Sequence, residues 1–241
     1  MWNTWRKIKR HWGRTDTLIV SANLLALVLF IGNCWWESVV VCYAACGVPL
    51  ALQAFWATCR KRPRTGLVEP SEGDNTRELL LRSLILGGVV GWLWPFGEWL
   101  VVNTLGWWGQ YLAPGFKILE TPIYCILIGW LTSAYCAYVA GRAIQMGFGV
   151  THAAIASGMS ALGLGALGEN LFVAARMWAY DASSWDWGAV PAFVPIAYGL
   201  SYAMVPLWRC LHAVKAALCF TVVMLALTVL TGVLAVFFPR P

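Results

Sequence analysis

Apolar residues in this chain fall in long unbroken runs, not in the every-other-residue rhythm of a half-buried strand. Seven runs stand out, at about 17–35, 38–58, 83–106, 119–141, 148–173, 188–208 and 214–237. Each is close to the roughly 20 residues that a helix needs to cross the hydrocarbon of a bilayer. Charged residues flank the first three and make their limits sharp. The fifth is rich in glycine and ends in a polar cluster, so the number falls to six if one segment re-enters without crossing. The pattern predicts an all-α polytopic transmembrane bundle that occupies residues 1–241 as a single integral membrane domain. The stretch 59–77 (CRKRPRTGLVEPSEGDNTR) is the one long polar interval and is expected as a cytoplasmic loop after the second span.

The basic residues give the bundle a direction. Arg6, Lys7, Lys9, Arg10 and Arg14 precede the first span, and Arg60, Lys61, Arg62, Arg64, Arg77 and Arg82 border the polar interval. Arg142 follows the fourth span, and Arg209 and Lys215 follow the sixth. With the N-terminus inside and the C-terminus outside, all 17 Lys and Arg except Lys117, Arg176 and Arg240 lie on the cytoplasmic side. That is the distribution of the positive-inside rule. It predicts a multi-pass protein of the plasma or inner membrane. The first run has a basic start, but it ends at Trp35 and Trp36 without a small-residue cleavage pattern and is followed at once by a second span. It is expected as an uncleaved helix.

Composition agrees with the runs. Sixty per cent of the residues are hydrophobic and only 12% are charged, with 16 tryptophans in 241 residues. A soluble domain carries about 25% charged residues, so most of this apolar surface is expected to face lipid. The net charge of +6 then reads as an orientation signal, and a nucleic-acid partner is not expected.

Two stretches resemble each other. One carries Gly97-Glu98-Trp99, then Trp107, Trp108 and Tyr111, then Pro122, Ile126 and Gly129. The other carries Gly168-Glu169-Asn170, then Trp178 and Tyr180, then Pro191, Ile196 and Gly199. In both, a Gly-Glu pair closes one span, a Trp lies nine residues past the Glu, and a Pro marks the next span. Pairing spans 3–4 with spans 5–6 in this way places both hairpins on the non-cytoplasmic side, as in a parallel duplication about an axis along the membrane normal. Glu98 and Glu169 would be symmetry mates.

These two acids are the candidate catalytic residues. A charged side chain in the bilayer is costly and usually faces the bundle interior. Burial penalises the ionised form, and a carboxyl that keeps its proton is a proton donor. Pairing is the structural alternative, with Arg176 two turns from Glu169. Glu120 has Lys117 one turn away. Trp99, Trp107, Trp108, Trp178, Tyr180, Trp185 and Trp187 fall near the outer surface, where an aromatic belt is expected. Those around the acids are also suited to stabilising a cation held away from water. Asp181 and Asp186 read as solvated loop residues, with Asp181 able to orient a water at the mouth of a site.

Other motifs fail their context. Gly163-Leu164-Gly165-Ala166-Leu167-Gly168 matches G-x-G-x-x-G, but it lies inside a span with no strand before it. Ala153, Ser157, Ala161 and Gly165 instead form a stripe of small residues that lets helices approach closely. The cysteines form no C-x-x-C pair and the histidines (His11, His152 and His212) are scattered. No metal and no cofactor is expected.

The second repeat resembles the membrane carotenoid hydratases of carotenoid biosynthesis, through Glu169, Trp178-x-Tyr180 and a proline-marked span with Pro195-Ile196-Ala197-Tyr198-Gly199. It is more loosely similar to the integral-membrane lycopene and meroterpenoid cyclases. The resemblance covers about residues 90–205. It implies an all-helical enzyme that protonates an isoprenoid double bond, with Glu169 as a functional carboxylate and Trp178, Tyr180 and Tyr198 lining the pocket. The Pro-x-Glu of the lycopene cyclases has no counterpart in span 6, which weakens the cyclase reading, and the outcome expected is hydration or cyclisation. The expected substrate site adds Trp99, Trp107, Asn170 and Arg176 to these residues. The competing class is a non-enzymatic membrane-complex subunit or lipid-binding protein in which both acids are structural. A proton-relaying transporter is a third class, disfavoured because no polar chain continues from the acids to the cytoplasm.

Overall fold

The computed structural model describes residues 2–59, 72–100, 110–119, 121–180, 186–208 and 211–237. These residues are mostly helical. Helices α1 (Trp2–His11), α2 (Arg14–Trp36), α3 (Val39–Thr58), α4 (Glu72–Glu98), α5 (Ile123–Gln145), α6 (Val150–Ala174), α7 (Phe193–Ala203) and α8 (Ala213–Phe237) follow in order. A 3-10 turn, Val205–Trp208, continues α7. Among the described residues, α2, α3, α5, α6 and the Asn75–Gly97 part of α4 are long and apolar enough to cross a membrane. Phe193–Trp208 and Ala213–Leu227 are shorter apolar helices.

Where element limits depart from the apolar runs, the causes are local. Helix α4 begins at Glu72, inside the stretch expected as a loop. Its polar first turns are held by the i,i+4 pair Glu78–Arg82 at 2.8 Å and by Thr76, buried against Thr15. Only the Asn75–Gly97 part of this helix is apolar at membrane-crossing length. Residues 188–208 do not form one helix. Asp186–Trp187 (β5) and Val190–Pro191 (β6) make a hairpin whose Gly188 has φ of 75°, a left-handed conformation that glycine adopts without strain. Helix α1 has no counterpart among the runs because it is amphipathic. Trp2, Trp5 and Ile8 recur every third residue among Arg6, Lys7, Lys9 and Arg10.

The two ends of the bundle differ. At one end α1, the starts of α2 and α4, and the end of α5 are tied by polar bonds. Arg142 Nε meets Asp16 Oδ1 at 2.9 Å and Arg142 Nη2 meets Asp16 Oδ2 at 3.1 Å. Tyr138 donates to Asp16 at 2.7 Å, and Arg142 also donates to the carbonyl of His11. Lys7 Nζ donates to the carbonyl of Gly147 at 3.1 Å and lies over the Phe148 ring.

At the other end the α4–α5 and α6–α7 connections carry short strands. Lys117–Ile118 (β2) and Thr121–Pro122 (β3) form a hairpin with Lys117 opposite Pro122 and Ile118 opposite Thr121. In the β5–β6 hairpin Asp186 lies opposite Pro191 and Trp187 opposite Val190, the same loop length and the same closing proline. Gln110–Tyr111 (β1) pairs antiparallel with Trp178–Ala179 (β4), Gln110 facing Ala179 and Tyr111 facing Trp178.

Glycine sets the helix spacing. A Cβ on Gly91 of α4 would lie 2.6 Å from the carbonyl oxygen of Ile126 in α5, and one on Gly158 of α6 would lie 2.8 Å from that of Gly199 in α7. In each pair the two backbones touch, which no larger residue permits. Ala153, Ser157, Ala161 and Gly165 are all buried, and Ser157 donates to the carbonyl of Cys136 in α5 at 3.1 Å.

Candidate functional site

Glu169 sits in the last two turns of α6, 8% exposed. Four residues earlier, on the same face, Gly165 leaves room for α7. A Cβ there would be 2.7 Å from Cδ2 of Tyr198 and 3.3 Å from Cα of Pro195. The missing side chain brings Tyr198 across α6, and its hydroxyl donates to Glu169 Oε1 at 2.9 Å. Tyr180 arrives from the other direction. It follows β4, which β1 holds in place, and donates to Glu169 Oε2 at 2.7 Å. Both carboxyl oxygens thus accept a phenolic hydrogen, an arrangement suited to a carboxylate. The protonated acid would have to turn one bond around or point its O–H into the space beside it.

That space is a cavity of about 100 Å³, several times the 10–15 Å³ that one water needs on this measure. Helix α5 contributes Cys125, Ile128, Gly129 and Thr132 to its wall, α6 Leu164, Gly165, Gly168, Glu169 and Phe172, and α7 Tyr198 and Tyr202. Trp94 of α4 and Gln110, Tyr111, Trp178, Ala179 and Tyr180 from the strand end complete it. The rings support one another. Trp178 stacks on Phe172 at 4.5 Å between centroids and meets Tyr111 edge to face at 6.1 Å, and Trp94 lies 6.0 Å from Tyr198. Tyr202 is fixed by a 2.5 Å bond to Ser133 of α5. Trp178 is 9% exposed, and among the described residues its buried Nε1 has no hydrogen-bond partner.

The structure brings Glu169, Trp178, Tyr180 and Tyr198 together and places Arg176, Asn170 and Trp99 elsewhere. Arg176, φ 53°, ends α6 and reaches Glu37 at 3.3 Å. The expected Glu169–Arg176 pairing and a substrate-facing role for Arg176 are corrected on that ground, because the left-handed turn aims the side chain at the α2–α3 connection. Asn170 is likewise corrected. It donates to the carbonyls of Ala166 and Trp187 at 2.7 and 2.9 Å and accepts from the Ala189 N–H at 2.8 Å. Being next to Glu169 on a helix puts it about 100° away, so it fastens the β5–β6 hairpin and does not line the cavity. Trp99 is 44% exposed and also outside the lining. The side chains of Glu98 and Asp186, and the whole of Trp107, Trp108, Glu120, Asp181 and Trp185, lie outside the described residues.

Sequence reasoning did not reach Trp94, Thr132, Phe172 or Tyr202. For two of them a signal existed. Trp94 lies one turn before Glu98, and Tyr202 one turn after Tyr198 on the same face.

No family model, curated protein or solved structure matches this chain.

Proposed function

We propose that this chain is a seven-span integral-membrane enzyme that protonates a double bond of a lipid-soluble isoprenoid or carotenoid, with hydration as the outcome. Its N-terminus faces the cytoplasm, and α4–α5 and α6–α7 are copies of one unit. The observation that carries the reading is the buried Glu169 held between Tyr180 and Tyr198 in an aromatic-walled cavity. The matched hairpins and the β1–β4 register support the duplication. The shift that lays the first hairpin on the second also carries Gln110 onto Ala179, and these two residues face each other across the strand pair. A two-fold axis between them accounts for both facts.

In the proposed step the Glu169 O–H adds its proton to one alkene carbon, the π electrons form the new C–H bond, and the neighbouring carbon becomes a carbocation. As the carboxylate forms, the two phenolic hydrogens are already in place on its oxygens, so charge is stabilised as it develops. Ring faces stabilise the cation. Water then bonds to the cation and returns one proton to Glu169. The sum is addition of H–OH, with the acid regenerated. No step calls for a cofactor.

The test is chemical. Lipid and pigment extracts of cells with and without the chain should differ by a product one water heavier than its precursor. The Glu169→Gln protein, recovered folded in the membrane, should give no such product. A normal yield from that variant removes Glu169 from the mechanism. Identical extracts would favour the structural-subunit alternative.

A further inference from the structure

The geometry points to the Glu169 cavity as a binding site for lipophilic quaternary ammonium ions. This deepens the reading above, since the carbocation beside the Glu169 carboxylate is the species such an ion imitates. It also stands on features that do not depend on turnover.

Seven ring systems, Trp94, Tyr111, Phe172, Trp178, Tyr180, Tyr198 and Tyr202, line the cavity. Aromatic faces attract a cation most strongly where water is excluded. Among the described residues the lining contains Glu169 and no Lys, Arg or His. Arg176, the nearest basic residue along the chain, is engaged by Glu37. Among the described residues, the electrostatic sign of the chamber is therefore set by one acid and by ring faces.

The hydrogen bonds select the type of cation. Tyr180 and Tyr198 already donate to the two Glu169 oxygens. A primary ammonium brings three N–H groups that must each find an acceptor once water is removed, and apart from Glu169 the side-chain acceptors of the described lining are the Gln110 amide, the Thr132 hydroxyl and the phenols. A quaternary ammonium has no N–H, sheds its hydration more easily and presents methyl groups to the rings. A cavity of about 100 Å³ accommodates a trimethylammonium head. Leu164, 36% exposed at the rim, gives a hydrocarbon tail an apolar way out.

The test uses the full-length protein in maltoside micelles, with three probes of one tail length: octyltrimethylammonium, octylammonium and the uncharged isostere 2,2-dimethyldecane. The readout is the saturable rise in unfolding temperature, with competition between probes. Octyltrimethylammonium should bind about tenfold or more tightly than either of the others, and Glu169→Gln should erase that preference. Equal binding of the uncharged isostere, preference for octylammonium, or a preference unchanged in the Gln variant would overturn the inference. If the Gln variant does not fold, the ranking of the three probes on the unaltered protein decides. Product analysis separates the two proposals. A cation preference without a product upholds this site and defeats the enzyme reading, and a product without a cation preference does the reverse.

Discussion

Tyr198 owes its position to an absence one turn before the acid it serves. Gly165 lets the Tyr198 ring lie against α6, so Gly165→Ala should act on Glu169 without touching it. The added methyl displaces the ring and breaks the bond to Oε1. The expected result is a loss of product resembling that of Tyr198→Phe. Each phenol donates to a group that becomes charged during the proposed step, and such bonds are worth about 1.5–3 kcal/mol. Tyr180→Phe and Tyr198→Phe should therefore each lower turnover about tenfold to a hundredfold, measured as product per folded protein. At this scale the sequence was partly legible. Glu169 and its aromatic neighbours could be picked out because an acid among glycines and apolar residues is conspicuous. The direction of a side chain could not. Asn170 and Arg176 are as polar as the acid beside them, and only the turn of the helix and a left-handed residue decide that they point elsewhere.

Helix pairs are held by contacts between backbones. Gly91→Val would drive a side chain into the Ile126 carbonyl, and overpacking of this kind costs about 1–3 kcal/mol. A lower unfolding temperature in micelles should show it. The Asp16–Arg142 pair is a second joint between elements, and it escaped sequence reading altogether. Asp16 sits in the first turn of α2, where an acid is ordinarily a surface residue that accepts from a backbone N–H, as it does here from Gly13 at 2.8 Å. Nothing in the local pattern announces that Arg142 and Tyr138 close over it, leaving Asp16 and Arg142 3% and 5% exposed. Removing one partner of a buried pair costs about 3–5 kcal/mol, whereas replacing both with apolar residues is often neutral. Arg142→Ala should thus destabilise strongly, and Asp16→Leu combined with Arg142→Met much less, in the same unfolding measurement.

Across the whole molecule, the runs that form α2 to α6 were legible because hydrophobic length is written locally, whereas the run at 188–208 was read as one span and forms part of a hairpin, α7 and a 3-10 turn. Helix α1 was hidden by its charge, and the strand end was hidden because two-residue strands leave no periodic trace. The proposed orientation has a direct check. Green fluorescent protein joined before Trp2 should fluoresce, and alkaline phosphatase joined after Phe237 should be active. The opposite pattern at either end would change the number of crossings or their direction.

The joint between Asp16 and Arg142 spans 126 residues of chain, and this bears on synthesis. When α2 leaves the ribosome, its acid has neither the guanidinium nor the Tyr138 hydroxyl that will later enclose it. Helix α2 must therefore take up its place with Asp16 still hydrated, and the bonds from Arg142 and to Gly147 that tie down α1 form only once α5 follows. Nascent chains halted before residue 138 should leave the N-terminal segment open to protease. Chains extended beyond Gly147 should protect it, so the beginning of the protein is locked by its middle.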